Sequence, residues 1–247
     1  MEIDNENNVS ISACPHDCPS TCALEVSHDK NTIYKVKGAS DNSYTSGVVC
    51  AKVSRYSERT HHPDRLKKPL MRIGDKGSND FKEIDWEQAL DIVAENFIST
   101  SQKHGSEAIW PHYYAGTMGL VQRDGINRLR HSMQYSGQHS TICATITASG
   151  FKAGVGALRG PDPREMALSD VILVWGCNPA STQVNVMKHI QKARKDRNAK
   201  LIVVDPYKTR TAKVANLHIA LKPGTDGALA CSILHILFRD NYVDWDY

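Results

Sequence analysis

The sequence has little of what several common protein classes require. Its longest hydrophobic stretches, VILVWGC and ALACSILHILF, fall short of the roughly 18 apolar residues needed to span a bilayer. The opening residues, MEIDNENNVS, contain neither a basic region nor an apolar core, so we expect no secretory signal and a cytoplasmic protein. A formal net charge of +3 is too small to favour nucleic acid as a partner.

The seven cysteines are an odd number, and without a secretory signal a disulfide framework is not expected. Three of them stand in the run Cys14-Pro-His-Asp-Cys18-Pro-Ser-Thr-Cys22, and a fourth is Cys50, two residues before Lys52. Four thiolates from a tight loop and one distant point can hold an iron-sulfur cluster. The spacing C-x3-C-x3-C-x27-C matches neither common ferredoxin pattern, and four cysteines also suit tetrahedral zinc. The spacing alone leaves both metals open.

Residues 1 to about 60 are polar and rich in turns, with ALEVS and TIYKVKG predicted as short strands. A basic run follows between residues 52 and 72. Its cations are Lys52, Arg55, Arg59, Arg65, Lys67, Lys68 and Arg72, against only Glu58 and Asp64. Such a run is commonly a solvated connector, and the alternative is a surface that faces an anionic ligand.

A helical period begins near residue 85. The apolar positions Trp86, Ala89, Leu90, Val93 and Phe97 lie on one face of a helix. Asp85 and Gln88 resemble a capping box, and Gly105 can end the helix. Beyond it we predict a strand over 108–114, a glycine-containing loop over 115–119 and a helix over 122–135.

From residue 170 onward strands and helices alternate. The strands are predicted over 171–175, 200–204 and 217–221, with one helix carrying Val184, Met187, Ile190 and Ala193 on one side and another over 227–239. Continuous apolar strands separated by helices indicate a parallel α/β sheet buried on both faces. Ligands of such sheets bind at the carboxyl ends of the strands.

Several segments together carry a family resemblance. They are CPHDCPSTC, the CAK step at residues 50–52, DRLKKPLMR, IDWEQALDIVAENF, WGCNPAST, IVVDPYKTRTA and LKPGTDGAL. In this order they resemble the amino-terminal portion of the molybdopterin oxidoreductases. The resemblance covers nearly the whole chain and implies a 4Fe-4S cluster rather than zinc. It also implies two pterin-guanine dinucleotides (bis-molybdopterin guanine dinucleotide) that carry molybdenum or tungsten.

The resemblance assigns roles to individual residues. Cys14, Cys18, Cys22 and Cys50 become the cluster ligands, and the basic run would face the pterin phosphates. Lys52 stands where the family places a basic side chain between cluster and pterin, and the alternative is an exposed lysine. Cys143 takes the position of the protein ligand to molybdenum. A thiolate is a soft donor that suits this role, and the alternative is a buried cysteine that acts as a small hydrophobe.

The residue after Cys143 departs from one branch of the family. Formate dehydrogenases typically carry histidine there, whereas this chain has Ala144, whose methyl group cannot act as an acid or base. Formate oxidation is therefore disfavoured, and reduction of an oxide or oxyanion is the favoured reaction class.

The expected pterin contacts follow the strands of the α/β sheet. They are Gly176, Asn178 and Pro179 after the first strand, Asp205 after the second, and Gly224, Thr225 and Asp226 before the last helix. Asp226 could instead cap that helix, and Thr209 could be a plain turn residue. Cys177 and Cys231 stand in apolar sequence surroundings, and we expect both in the core.

We therefore expect an α/β protein with a small β-rich 4Fe-4S domain at its amino terminus. The boundaries are 1–60 for the cluster domain, 61–140 for an α/β segment of the central domain, and 141–247 for an incomplete Rossmann-like pterin-binding segment. The reaction implied by the resemblance is a two-electron redox step at the metal, with electrons passing through the cluster.

The expected partners are the remainder of the catalytic subunit or a companion chain, and an electron-transfer subunit. The alternatives from other classes are a non-catalytic iron-sulfur carrier or remnant module, and a structural fragment built around zinc.

Overall fold

The computed structural model describes residues 8–16, 18–112, 120–139 and 144–246. The described residues form two compact units. The first unit consists of the described residues within 8–16, 21–39 and 50–160. The second unit consists of residues 18–20, 40–49 and 161–246. No helix in these described ranges is both long and apolar enough to cross a membrane.

The first unit combines two small antiparallel sheets with helices. β1, β2 and β3 form a three-stranded meander, and β4 pairs with β5. In chain order the elements are β1 (Asn8–Ala13), β2 (Ala23–His28), β3 (Ile33–Gly38), a 3₁₀ turn (Val53–Arg55), α1 (Tyr56–Thr60), β4 (Leu70–Arg72), β5 (Phe81–Glu83), α2 (Trp86–His104), a 3₁₀ turn (Ser106–Ala108), α3 (Leu120–Met133) and α4 (Ala144–Val155). The strands predicted from ALEVS and TIYKVKG are confirmed as β2 and β3.

The α2 helix begins and ends where the sequence predicts. Asp85 precedes it in an extended conformation, and its carboxylate accepts the N–H of Gln88 at 2.8 Å, so one of the unpaired amides of the first turn gains a partner. Gly105 ends the helix with φ of 87°, a conformation that costs other residues more. None of the residues of α2 is buried. The Phe97 ring packs edge-on against Tyr135, with ring centroids 5.7 Å apart, whereas Trp86, Leu90 and Val93 are exposed.

The second unit is built on the predicted parallel sheet. The strand order is β6-β7-β8, and both pairings are parallel. The elements are a 3₁₀ turn (Pro163–Leu168), β6 (Val171–Trp175), α5 (Pro179–Thr182), α6 (Val184–Arg197), β7 (Lys200–Val204), a 3₁₀ turn (Ala212–Val214), β8 (Leu217–Ile219) and α7 (Asp226–Arg239). β6 and β7 have the predicted bounds, and β8 is two residues shorter than predicted.

The core of the second unit lies between this sheet and α6. It consists of Ile172, Val174, Val186, Ile190, Ala193, Ala199, Leu201, Val203 and Ala212. The α6 helix ends at Asn198, which has a left-handed conformation and donates its N–H to Ala193 O. The expectation of burial on both sheet faces is wrong for β6, because Val171 and Leu173 are exposed while Ile172 and Val174 are buried.

The predicted strand over 108–114 is also not observed in its described part. The backbone of Ile109 is extended, but the structure assigns no strand over 109–112. Ile109 O accepts a single hydrogen bond from Ser136 N–H at 2.9 Å. The predicted helix over 122–135 is observed as α3.

A histidine ties the 40–49 segment to α6 within the second unit. The His189 ring, 5% exposed, stacks on Tyr44 with centroids 5.4 Å apart, and its Nε2 lies 3.2 Å from Tyr44 O. Nearby, Asp162 pairs with the Arg164 guanidinium, which also donates to Ser43 Oγ at 2.7 Å. These contacts fix the segment that leads to Cys50.

Replacing Leu201 by alanine should lower the free energy of unfolding by about 3 kcal/mol, because it removes a fully buried side chain and leaves a cavity. Leu173→Ala is the matched control on the exposed face of the same sheet, and we expect a change below about 0.5 kcal/mol. Urea unfolding followed by tryptophan fluorescence measures both. Equal losses for the two variants would contradict the assigned core.

Stability should fall with acid in two separate pH ranges. Burial lowers the pKa of His189, so the unfolded chain binds a proton there more readily than the native state does. The stabilisation by the neutral ring is therefore complete above a pH of about 6.5 and is lost as the pH falls through the lowered native pKa. The Arg164 guanidinium lowers the pKa of Asp162 to about 2, so its contribution is present above a pH of about 4 and is lost toward pH 2.

The variants His189→Phe and Asp162→Asn separate the two ranges. His189→Phe should flatten the stability profile only in the higher range and Asp162→Asn only in the lower one, as measured by urea midpoints at a series of pH values. An unchanged profile for His189→Phe would rule out the histidine as the source of the higher range.

Candidate metal centre and cofactor site

The cysteine loop begins where β1 ends and closes where β2 begins. Ala13 and Ala23 are the last registered pair of these strands, and the Cys14 N–H donates to Cys22 O at 2.8 Å. Cys22 is buried, whereas Cys14 and Cys18 are half-buried. Cys18 is part of the second unit, where its Sγ donates to Thr182 O at 3.4 Å.

Cys50 starts a tight turn that continues into α1. Its carbonyl accepts the N–H groups of Val53 and Ser54, both at 3.1 Å. Tyr56 follows as the first residue of α1, and its pKa is raised mainly by burial and then by the neighbouring Cys14 thiol, with a smaller contribution from Cys50. Both sulfurs therefore lie near one tyrosine ring.

A third group meets the same ring. The His16 imidazole lies 5.5 Å from the Tyr56 ring, centroid to centroid. His16 Nε2 is buried and has no hydrogen-bond partner among the described residues. Buried polar atoms nearly always have a hydrogen-bond partner. We therefore expect this nitrogen to donate a hydrogen bond to an acceptor on a bound ligand.

The donor set fits an iron-sulfur cluster. None of the six cysteines in the described ranges is in a disulfide, and thiolates are the ligands that such clusters use. Within the same described ranges, no three histidine, cysteine, aspartate or glutamate side chains are grouped as ligands for a single metal ion.

The basic run lines a cleft of about 720 Å³ in the first unit. Its lining residues are Ala51, Lys52, Arg55, Glu58, Arg59, His62, Asp64 and Arg65. The Arg55 Nε lies 2.9 Å from a Glu58 carboxylate oxygen, which raises the pKa of Arg55 and lowers the pKa of Glu58. Four cations against two carboxylates leave the cleft positive, as an anion site requires.

The expected pterin contacts gather at the carboxyl edge of the sheet in the second unit. Gly176 follows β6 with φ of 63°, and its N–H donates to Val204 O at 2.9 Å. Gly224 has φ of 85°. A Cβ at either glycine would meet no atom within 4 Å. Both glycines therefore combine a backbone that disfavours other residues with open space beside it.

Asn178 and Pro179 are held by a hydrogen-bond network. Asn178 Oδ1 accepts the Thr211 hydroxyl at 2.7 Å, and the same hydroxyl oxygen accepts the N–H of Ala180 at 3.1 Å. Pro179 is the first residue of α5, where its missing N–H is not needed. The loop after β6 is therefore fixed by a threonine 33 residues away.

Asp205 is buried, and its Oδ1 accepts the N–H of Tyr207 at 3.1 Å. Thr225 directly precedes α7 and donates its hydroxyl to Lys222 O at 2.7 Å. The Asp226 carboxylate accepts the indole N–H of Trp175 at 2.7 Å. Asp226 thus links α7 to the end of β6, and this differs from the capping alternative.

Two cysteine expectations are wrong. Cys177 and Cys231, expected in the core, are both exposed. Surrounding protein atoms still desolvate the Cys177 thiol enough to raise its pKa, and the Asp205 carboxylate raises it further. Cys231 is exposed because α7 turns much of its apolar side outward, including Leu234 and Phe238.

Other expectations about the site stay predictions. Cys143 lies outside the described residues. Lys52 is exposed and lines the basic cleft, and its role as a link between cofactors is still a prediction. Tyr56 lies outside the segments that carry the family resemblance, and Thr211 lies within IVVDPYKTRTA, but the sequence assigned neither residue a role.

Two family matches cover most of the chain. Residues 8–62 match "Molybdopterin oxidoreductase Fe4S4 domain", and residues 65–245 match "Molybdopterin oxidoreductase". These matches imply a 4Fe-4S cluster and a molybdopterin cofactor with molybdenum.

Individual proteins agree with the family matches. The chain is 36% identical over 97% of its length to "Probable oxidoreductase YoaE" of Bacillus subtilis (strain 168), and 33% identical over 98% to "Probable dimethyl sulfoxide reductase chain YnfF" of Escherichia coli (strain K12). It covers 35% and 32% of these two relatives, and so spans about a third of their length.

The fold agrees with that of a solved structure. Acetylene hydratase from Pelobacter acetylenicus superimposes with a TM-score of 0.65 at 23% identity, over 96% of this chain and 32% of that one. This similarity shows the fold alone. The two family matches, which run from residue 8 to residue 245, lead to one conclusion: the chain belongs to the molybdopterin oxidoreductase family.

Proposed function

We propose that this chain is the cofactor-binding part of a molybdopterin-dependent reductase of oxides or oxyanions. The observation that carries the proposal is the pair of adjacent family matches, one for a 4Fe-4S domain and one for a molybdopterin domain. In the first unit, the grouping of Cys14, Cys50 and His16 around Tyr56 supports a metal centre in the matched region.

Cys14, Cys18, Cys22 and Cys50 would hold the 4Fe-4S cluster. The hydrogen bond between Cys14 and Cys22 and the turn at Cys50 set the backbone of three of them before any metal binds. Such preorganisation reduces the ordering cost of ligand binding. Cys18 would release its contact with Thr182 O when it becomes a thiolate, because a thiolate has no S–H to donate.

The pterin dinucleotide would bind at the carboxyl edge of the parallel sheet. Gly176 and Gly224 leave room for close approach, and Asn178 and Pro179 are held in place by Thr211. Asp205, Thr225 and Asp226 complete the edge, where their present hydrogen bonds shape the loops. The bound cofactor would supply the metal at which oxygen is exchanged, with Cys143 as the proposed protein ligand.

The basic cleft around Lys52 would accommodate anionic groups. Its Lys52, Arg59 and Arg65 cations are exposed, so each contributes a screened attraction rather than a fixed bond. Phosphate groups of the dinucleotide are the anions that the family offers. Lys52 would also lie between the cluster and the pterin, on the path of electron transfer.

The relatives and Ala144 support the proposed reaction class. One relative bears the name of a dimethyl sulfoxide reductase chain, and Ala144 offers no acid or base for formate chemistry. Reduction of an oxide removes one oxygen as water and consumes two electrons and two protons. An iron-sulfur cluster carries electrons singly, so they would arrive in two steps from an electron-transfer partner.

The remainder of a catalytic polypeptide is the proposed companion. The chain spans about a third of the length of its relatives. Three positions of the predicted apolar face of α2, Trp86, Leu90 and Val93, are 66%, 58% and 49% exposed. Contiguous apolar surface of this kind marks an interface. We propose that the missing two thirds of such a polypeptide covers it and completes the cofactor site.

The functional segments are proposed as 1–60 for the cluster, 61–140 for the central α/β segment and 141–247 for the pterin-binding segment. The boundary near 60 is supported by the two matches, which meet between residues 62 and 65.

The first test is metal content. Anaerobically reconstituted protein should contain about four irons per chain, and Cys50→Ser should lose most of them because an alcohol is a poor ligand for iron in such clusters. Cys231→Ser is the matched control, since this cysteine is exposed on α7, and it should keep the iron. One zinc per chain without iron, after anaerobic preparation, would contradict the cluster assignment.

The second test is turnover. Residues 1–247 alone should hold the cluster but reduce no common oxide or oxyanion acceptor. A molybdenum cofactor that is bound on one side only lacks the contacts that exclude water and fix the metal. The assay supplies reduced viologen and a bound molybdenum cofactor. Turnover by the 247-residue chain without a companion polypeptide would show that the proposed companion is not needed.

A further inference from the structure

His16 has an unusual combination of burial and missing partner. Its Nε2 is buried and unpaired among the described residues. Pro15 and Pro19, in the same cysteine loop, are nevertheless exposed to water. A buried ring nitrogen without a hydrogen-bond partner costs free energy. The position is therefore suited to an acceptor that arrives with a ligand.

The surroundings of the ring identify the chemistry of that acceptor. His16 contacts Tyr56, and Tyr56 lies near the sulfurs of both Cys14 and Cys50. In the sequence His16 stands between Cys14 and Cys18. The acceptors that a bound cluster would bring to this place are its inorganic sulfides and its cysteine thiolates.

We propose that the Nε2–H of His16 donates a hydrogen bond to a sulfur of the 4Fe-4S cluster and thereby raises the reduction potential of the cluster. The inference rests on the proposed function, because it requires the cluster to be present. A donor to sulfur stabilises the reduced cluster more than the oxidised one, since reduction adds negative charge. His16 is thus a tuning residue beside the ligands, and it is not itself a ligand.

The chain offers a pair of variants that separate the donor from the ring. His16→Phe keeps an aromatic ring against Tyr56 but has no N–H, whereas His16→Gln keeps an N–H donor without the ring. His235→Phe is the control, because His235 is exposed on α7. All are made in the 247-residue chain and reconstituted anaerobically.

The measurement is a redox titration of the reconstituted protein at one pH, followed by electron paramagnetic resonance and visible absorption. His16→Phe should shift the ratio of oxidised to reduced cluster toward the oxidised form by about tenfold at a fixed potential, which is ~59 mV for a one-electron couple. His16→Gln should recover part of this shift, and His235→Phe should match the unmodified chain. Iron content should stay the same in all three.

Three results would overturn the inference. The first is a His16→Phe potential equal to that of the unmodified chain. The second is a shift in His16→Phe that His16→Gln does not reduce, which would assign the effect to ring packing. The third is loss of iron in His16→Phe comparable to the loss in Cys50→Ser, which would make His16 a ligand.

Failure of the proposed function gives a different pattern. If the unmodified chain binds no iron, both the cluster assignment and the role of His16 are overturned. If it binds iron with the potential unchanged by His16→Phe, the cluster assignment stands and the inference about His16 alone is rejected.

Discussion

The parallel pairing of β7 with both of its neighbours is the constraint on which the candidate cofactor edge depends. Val204 stands opposite Trp175 on one side and Ile219 on the other, so all three strands end at the same level. The pairing continues one step past the strands, through Gly176 N–H to Val204 O and Asp205 N–H to Ile219 O. The loops that follow are therefore held side by side, and their polar groups face one edge.

Hydrogen bonds between side chains join the loops at this edge. Thr211 joins the Asn178 loop to the segment after β7, and Asp226 joins the start of α7 to Trp175. Both connections cross between different strand ends. Such hydrogen bonds preorganise the loops, and the open space beside Gly176 and Gly224 lies in these same loops.

The sequence predicted the elements better than it predicted their surroundings. β6 and β7 were predicted with their observed bounds, because each is an apolar run limited by polar residues or glycine, and local signals decide such limits. The α2 helix was equally clear from Asp85 and Gly105. What covers an element depends on chain that is distant in sequence, so the exposure of Leu173 and of Cys231 was predicted wrongly.

In the site, too, short sequence patterns were predicted, whereas contacts between residues distant in sequence were not. The cysteine motif and the glycines after the strands were visible as short patterns. Tyr56 lay outside such patterns, and Thr211 lay within IVVDPYKTRTA without a predicted role. Thr211 matters only because folding brings it to Asn178, 33 residues away, and Tyr56 only because the turn at Cys50 directs it toward Cys14. Single polar or aromatic residues of this kind carry no periodic signal. They become recognisable once the hydrogen bonds and ring contacts are known.

The exposed apolar faces set the limit of what this chain can do by itself. The core of the second unit lies on one side of the sheet, where Ile190 and Leu201 are fully buried. In the part of the chain that the structure describes, no residue of α2 is buried, and Val171 and Leu173 on the outer side of β6 are exposed. Since apolar surface is driven out of water in proportion to its area, these faces favour association with further polypeptide.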